Sequence, residues 1–179
     1  MKPSTLQGLF EAQAIQTPDA VALIEPGRSL SFRELDHLSG QLAAQLVQQG
    51  VMPLDFVPIT LAKSVDAVVA ILAVLKVGAA YVPLSQRFPE QFTRSILDDI
   101  QAKVCVGEVA APLTVLQPPR QATSTHLPKM SSAGAENPIA WVLYTSGSTG
   151  KPKGVLGTHS ACLARCDALL KHQPLVAND

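Results

Sequence analysis

Apolar positions alternate between a helical and a strand period along most of the chain. Leu6, Leu9, Phe10, Gln13 and Ala14 follow helical spacing until Pro18 stops it. Residues 20–25 form an apolar run closed by Pro26-Gly27, which predicts a strand and a turn. Ser31 followed by Glu34 is a capping box, whose hydroxyl and carboxylate satisfy N–H groups that a first helical turn leaves without partners. Leu35, Leu38, Leu42 and Leu46 continue from it as one apolar stripe ending at Gly50, so a helix is predicted there. Residues 56–61 predict a strand, 64–76 a strongly apolar helix ended by Gly78, and 80–84 a further strand. Pro89 suits a first helical position, Phe92, Ile96, Leu97 and Ile100 supply the buried face behind it, and residues 103–106 read as a short strand.

Periodicity then disappears over residues 108–138, where Pro112, Pro118, Pro119, Pro128, Ser131 and Ser132 predict a long loop. Residues 139–145 predict a buried strand, followed by a loop to Gly154 and a helix over 160–172 that Pro174 ends. The βαβαβ alternation predicts an α/β fold with a mostly parallel sheet and flanking helices, its strand order left open.

Composition narrows the setting. Charged residues make up 16% of the chain, against about 25% in an average soluble domain, and mean hydropathy is +0.22. Either a sheet is covered on both faces, or one face belongs against something else. Fourteen basic residues balance fourteen acidic ones with no run of either sign, which argues against nucleic acid and anionic membranes as partners. The apolar run 67–75 is about half of what a membrane span requires, and the first residues lack a secretory pattern, so a cytoplasmic protein is expected. Cys105, Cys162 and Cys166 are odd in number and unevenly placed, a poor disulfide framework that agrees with a reducing compartment.

The chemistry-bearing stretch is Tyr144-Thr145-Ser146-Gly147-Ser148-Thr149-Gly150-Lys151-Pro152-Lys153-Gly154. It sets four aliphatic hydroxyls, three glycines and two ammonium groups behind a predicted strand. Glycine lets backbone N–H groups approach phosphate oxygens, hydroxyls donate further bonds, and lysine supplies mobile charge. A polyphosphate is the guest this composition suits, the alternative being a flexible Gly/Ser connector. The common P-loop is excluded, because that motif needs Gly where Thr145 stands and Ser or Thr where Pro152 stands. Neither the dinucleotide fingerprint nor the hydrolase nucleophile elbow occurs here.

This stretch resembles the signature loop of the adenylate-forming, AMP-binding superfamily of acyl-CoA synthetases, luciferases and nonribosomal peptide synthetase adenylation domains. Leu30-Ser31-Phe32-Arg33-Glu34-Leu35, then Leu75-Lys76-Val77-Gly78-Ala79-Ala80-Tyr81-Val82-Pro83-Leu84, and the opening around Thr17-Pro18-Asp19 extend the resemblance in the family's order. It covers nearly the whole chain and is weakest over 108–138. Ser148 and the segment 80–84 are most similar to the peptide synthetase branch. The resemblance implies the N-terminal portion of an adenylation domain, spanning residues 1–179. It also implies a two-step ligase: a carboxylate, expected to be an amino acid, attacks the α-phosphate of ATP with Mg2+, and a CoA or phosphopantetheine thiol later takes the acyl group. Thr145, Ser146, Gly147, Ser148, Thr149, Gly150 and Gly154 would wrap the phosphates, and Lys151 and Lys153 would add charge.

Departures set the limits of that reading. Ser85 stands where relatives often carry an acidic residue. The family's substrate pocket, ribose-holding aspartate, metal-binding glutamate and C-terminal lobe with its lysine have no counterpart in these 179 residues. The chain is therefore expected to hold the phosphate loop alone and to be inactive by itself. The alternative is a nonenzymatic remnant or interaction module, docking on a separately encoded remainder or self-associating. His159, Cys162 and Cys166, with His172 nearby, share a helical face of zinc-binding residue types, but the spacing fits no tight site and core packing is expected instead. Asp98 and Asp99 are expected at a solvated helix end, with no catalytic role.

Overall fold

The computed structural model describes residues 3–121, 138–146 and 151–172. Helix α1 (Leu6–Gln16) starts where the Thr5 hydroxyl accepts from the Gly8 N–H at 3.2 Å and ends at Thr17, one residue before Pro18. Strands β1 (Val21–Glu25) and β2 (Arg28–Ser31) form an antiparallel hairpin whose turn places Gly27 at φ 80°, a conformation that suits glycine. Ser31 and Glu34 form the expected box: the Ser31 N–H donates to Glu34 Oε2 at 2.8 Å, and the Glu34 N–H to Ser31 Oγ at 3.2 Å. That cap starts α2 (Phe32–Gln48).

Strand β3 (Phe56–Ile59), helix α3 (Val65–Val77) and strand β4 (Ala80–Pro83) follow. The Ser64 side chain caps α3 at its start, and Gly78 ends it in the left-handed conformation at φ 84°. Helix α4 (Glu90–Asp99) leads to β5 (Val104–Val106) and β6 (Thr114–Leu116). Strands β7 (Ile139–Ser146) and β8 (Pro152–Thr158) then precede α5 (His159–His172).

Six strands form one sheet in the order β6-β5-β3-β4-β7-β8, parallel throughout except that β8 runs antiparallel to β7 at the edge. Alternation along β4 shows how both faces are covered. Tyr81 joins the cluster made by α2 and α3, with Leu38, Leu42, Val57 and Val69, whereas Val82 joins Ile96, Leu97 and Val142 beneath α4. The short charge complement thus follows from a two-sided core, and α3 is apolar nearly all round because it lies inside it. One cation is carried into that interior: Lys76 Nζ donates to Asp36 Oδ1 at 2.7 Å and to the Asp36 carbonyl at 2.9 Å, below the Phe10 ring. This ties α3 to α2 and to α1. No helix among the described residues is long and apolar enough to cross a membrane.

Four sequence-based boundaries are corrected. Strand β2 falls where only the approach to α2 was read. Pro89 is not the first helical residue: its ψ of 141° is extended, and α4 begins at Glu90. The stretch 108–138 is not loop throughout, since Thr114–Leu116 pairs in parallel with Val104–Val106; residues 122–137 lie outside the described residues. Finally, the loop expected to run to Gly154 ends sooner, because β8 begins at Pro152. Pro152, Gly154 and Gly157 obscure that strand in the sequence, being residue types that strands ordinarily avoid.

Candidate functional site

Strand β7 enters the sheet beside β4, with Tyr81 opposite Trp141, and its C-terminal end emerges on the same edge as Pro83 of β4. Ligand sites of open parallel sheets lie outside the carboxyl ends of the strands. There the chain reverses: Tyr144 faces Gly154, Thr145 faces Lys153 and Ser146 faces Pro152. The predicted phosphate-binding residues Thr145, Ser146, Lys153 and Gly154 are thereby brought together at the tip of one antiparallel hairpin, with Lys151 next to Pro152. Gly147, Ser148, Thr149 and Gly150 lie outside the described residues. Thr145, Ser146, Lys151 and Lys153 are all exposed, so hydroxyls and ammonium groups are available to a ligand.

Two glycines of β8 are set by close approach. An added Cβ at Gly157 would lie 1.9 Å from the Trp141 ring, and one at Gly154 would lie 3.0 Å from Val142 Cγ1 and 3.2 Å from the Tyr144 ring. Both aromatic side chains of β7 therefore lie across the neighbouring strand, on opposite faces. Their polar tips are also held. The Trp141 indole N–H donates to Cys162 Sγ at 3.2 Å, and the Tyr144 hydroxyl donates to the carboxylate of Asp99, the last residue of α4. Burial first, and then the Asp99 carboxylate, raise the Tyr144 hydroxyl well above its usual pKa, so it stays a donor. Asp99, expected only at a solvated helix end, is thus a neighbour of the site. Sequence spacing gives no hint of it, because the contact joins residues 45 positions apart.

Comparison with known proteins agrees with this arrangement. The family model described as AMP-binding enzyme matches residues 10–179. The chain belongs to the AMP-binding enzyme family. It is 35% identical over 185 residues to bacitracin synthase 2 of Bacillus licheniformis, covering 99% of this chain and 7% of that protein. To zwittermicin A synthase ZmaJ of Bacillus cereus it is 37% identical over 183 residues, covering 97% and 35%. Among solved structures, the nonribosomal peptide synthetase FmoA3 in its AMPPNP-bound form superposes with a TM-score of 0.86 at 25% identity, covering 99% of this chain and 20% of that one. The Klebsiella oxytoca NpsA N-terminal subdomain, in complex with 3-hydroxybenzoyl-AMSN, gives 0.69 at 30% identity, covering 87% and 41%. The chain spans less than half the length of each of these proteins, and its fold is that of the N-terminal subdomain of an adenylation domain.

Within this AMP-binding fold the histidine and cysteines of α5 serve packing and anchoring. His159 is buried, and its Nδ1 accepts the Leu6 N–H at 3.1 Å, which joins the start of α5 to the start of α1. Cys162 takes the Trp141 bond, while Cys166 and His172 are exposed. No group of three or more His, Cys, Asp or Glu that could hold a metal ion occurs among the described residues.

Burial pulls the His159 pKa below its ordinary 6.5, since the imidazolium would lose water and its Nδ1 could no longer accept. The unfolded chain takes up the proton at about 6.5, whereas the folded chain resists until lower pH. The contribution of His159 is therefore complete above 6.5 and is lost as pH falls through the depressed folded value. Chemical denaturation of the wild type beside His159→Gln should show a stability gap near pH 7 that narrows towards pH 5. A gap independent of pH would remove this anchor.

Proposed function

We propose that this chain supplies the phosphate-gripping part of an amino-acid-activating adenylation domain of the nonribosomal peptide synthetase type. The observation that carries the reading is the hairpin tip at the carboxyl end of β7, where Thr145, Ser146, Lys151 and Lys153 stand exposed within an AMP-binding fold. In the activity proposed, a carboxylate oxygen of the substrate attacks the α-phosphorus of ATP, the bond to the bridging oxygen breaks, and pyrophosphate leaves. The acyl-adenylate then passes its acyl group to a phosphopantetheine or CoA thiol, releasing AMP. Charge moves onto the β- and γ-phosphates as the bond breaks, so donors aimed at those oxygens stabilise the leaving group. The Thr145 and Ser146 hydroxyls would donate to them, together with N–H groups over 147–150, and Lys151 and Lys153 would offset their charge. With no metal cluster among the described residues, Mg2+ would arrive with the nucleotide. The ribose, adenine, acid and thiol would be handled by other parts of a complete adenylation domain.

Magnitudes set the expected affinity. Ordering a flexible residue costs about 1–2 kcal/mol, whereas a hydrogen bond to a charged group contributes roughly 1.5–3 kcal/mol, so a phosphate grip without base contacts leaves a small surplus. Calorimetric titration with Mg-ATP should therefore saturate near millimolar concentration, and Lys151→Ala/Lys153→Ala should weaken binding by about tenfold or more. No saturation by the wild type at several times that concentration would overturn the reading.

The same reading accounts for the apolar surface around β8. Leu143, Val155 and Leu156 are 45–56% exposed on a strand whose outer edge has no partner among the described residues, and Leu169 and Leu170 of α5 are about half exposed. We infer that further adenylation-domain polypeptide covers this edge; in its absence copies of the chain would pair through it. Light scattering should then show a mass that rises with concentration and falls back in Val155→Lys/Leu156→Lys. A concentration-independent monomer would contradict that inference.

A further inference from the structure

We propose that Asp99 is a positioning residue for the phosphate loop, acting through Tyr144. The proposal rests on the hairpin tip being a phosphate site. Asp99 ends α4, where the negative pole of the helix makes a carboxylate locally unfavourable. A residue that works against its own helix is explained when something else uses it, and here the Tyr144 hydroxyl donates to its carboxylate.

Tyr144 immediately precedes Thr145, and its ring lies where a side chain at Gly154 would otherwise be, on the opposite arm of the hairpin. One contact therefore ties α4 to both arms at the register step next to the exposed hydroxyls and Lys153. Strand β8 needs such a tie, because β7 is the one strand it pairs with among the described residues. Holding the arms beforehand reduces the ordering cost that phosphate binding would otherwise meet. A raised Tyr144 pKa, caused by burial and then by Asp99, keeps the hydroxyl proton in place for this bond. A purely structural clamp would affect the whole fold, whereas a positioning clamp acts on the hairpin tip.

The test uses the full chain as wild type, Asp99→Ala, Asp99→Asn, Tyr144→Phe and the double variant Asp99→Ala/Tyr144→Phe. Amide hydrogen exchange is followed at residues 144–146 and 153–155 and in α2 and α3, alongside Mg-ATP titration. Each single removal should speed exchange at the hairpin tip, leave α2 and α3 as in the wild type, and weaken Mg-ATP about tenfold. The double variant should be no worse than either single one, and Asp99→Asn, which keeps an acceptor oxygen, should recover most of the loss. Additive effects, or tip exchange equal to wild type in Asp99→Ala, would overturn the proposal. If the wild type fails to bind Mg-ATP while the exchange pattern follows expectation, the phosphate reading falls and the positioning contact stands. If the wild type binds but Asp99→Ala binds and exchanges identically, the reverse holds.

Discussion

Strand β7 carries two ladders at once, parallel to β4 on one side and antiparallel to β8 on the other. The parallel ladder places the strand against the covered part of the sheet, where Ala140 and Val142 are buried. The antiparallel ladder fixes which residues face one another at the tip, so that Thr145 meets Lys153 and Ser146 meets Pro152. A shift of one residue would send every side chain of β8 to the other face. Trp141 and Tyr144 guard against that shift, because each requires a glycine opposite: Gly157 for the indole and Gly154 for the phenol.

That constraint converts packing into chemistry. Hydroxyl and ammonium groups at the tip are exposed, yet the strands that present them are fixed by aromatic rings, by the Trp141–Cys162 bond on one face and by the Tyr144–Asp99 bond on the other. Sites carried on a rigid scaffold with mobile donors at the end are suited to a leaving polyphosphate, whose charge is spread over several oxygens. Deeper in the fold, the Lys76–Asp36 pair and the Ser31–Glu34 box hold α1, α2 and α3 in register behind the sheet. They act on the site only through the strands they support.

Much of this was legible in the sequence because local signals agreed with the tertiary result. Ser31 and Glu34 marked the start of α2, Gly78 the end of α3, and the apolar runs the buried strands. Residues Thr145, Ser146, Lys151 and Lys153 could be named because hydroxyl, glycine and lysine at that density have few other uses. Gly154 was read as a phosphate-loop glycine, whereas the structure gives it a second reason, the Tyr144 ring. Strand β8 was missed because its proline and glycines answer to the neighbouring strand rather than to local propensity. Asp99 was missed because its partner is distant in sequence. Strand order was unreadable for the same reason: β7 returns to β4 across two intervening strands, and only three-dimensional packing decides which edge receives it.

The central claim is that the β7–β8 hairpin tip is the place on this chain that receives a polyphosphate. The most direct measurement is the set of backbone amide resonances of the isotopically labelled chain, recorded as inorganic pyrophosphate is added with Mg2+. The account predicts saturable shifts confined to residues 144–154, with a smaller response at Asp99 and none in α2 or α3. Shifts centred elsewhere on the chain, or no shifts at concentrations well above millimolar, would contradict it.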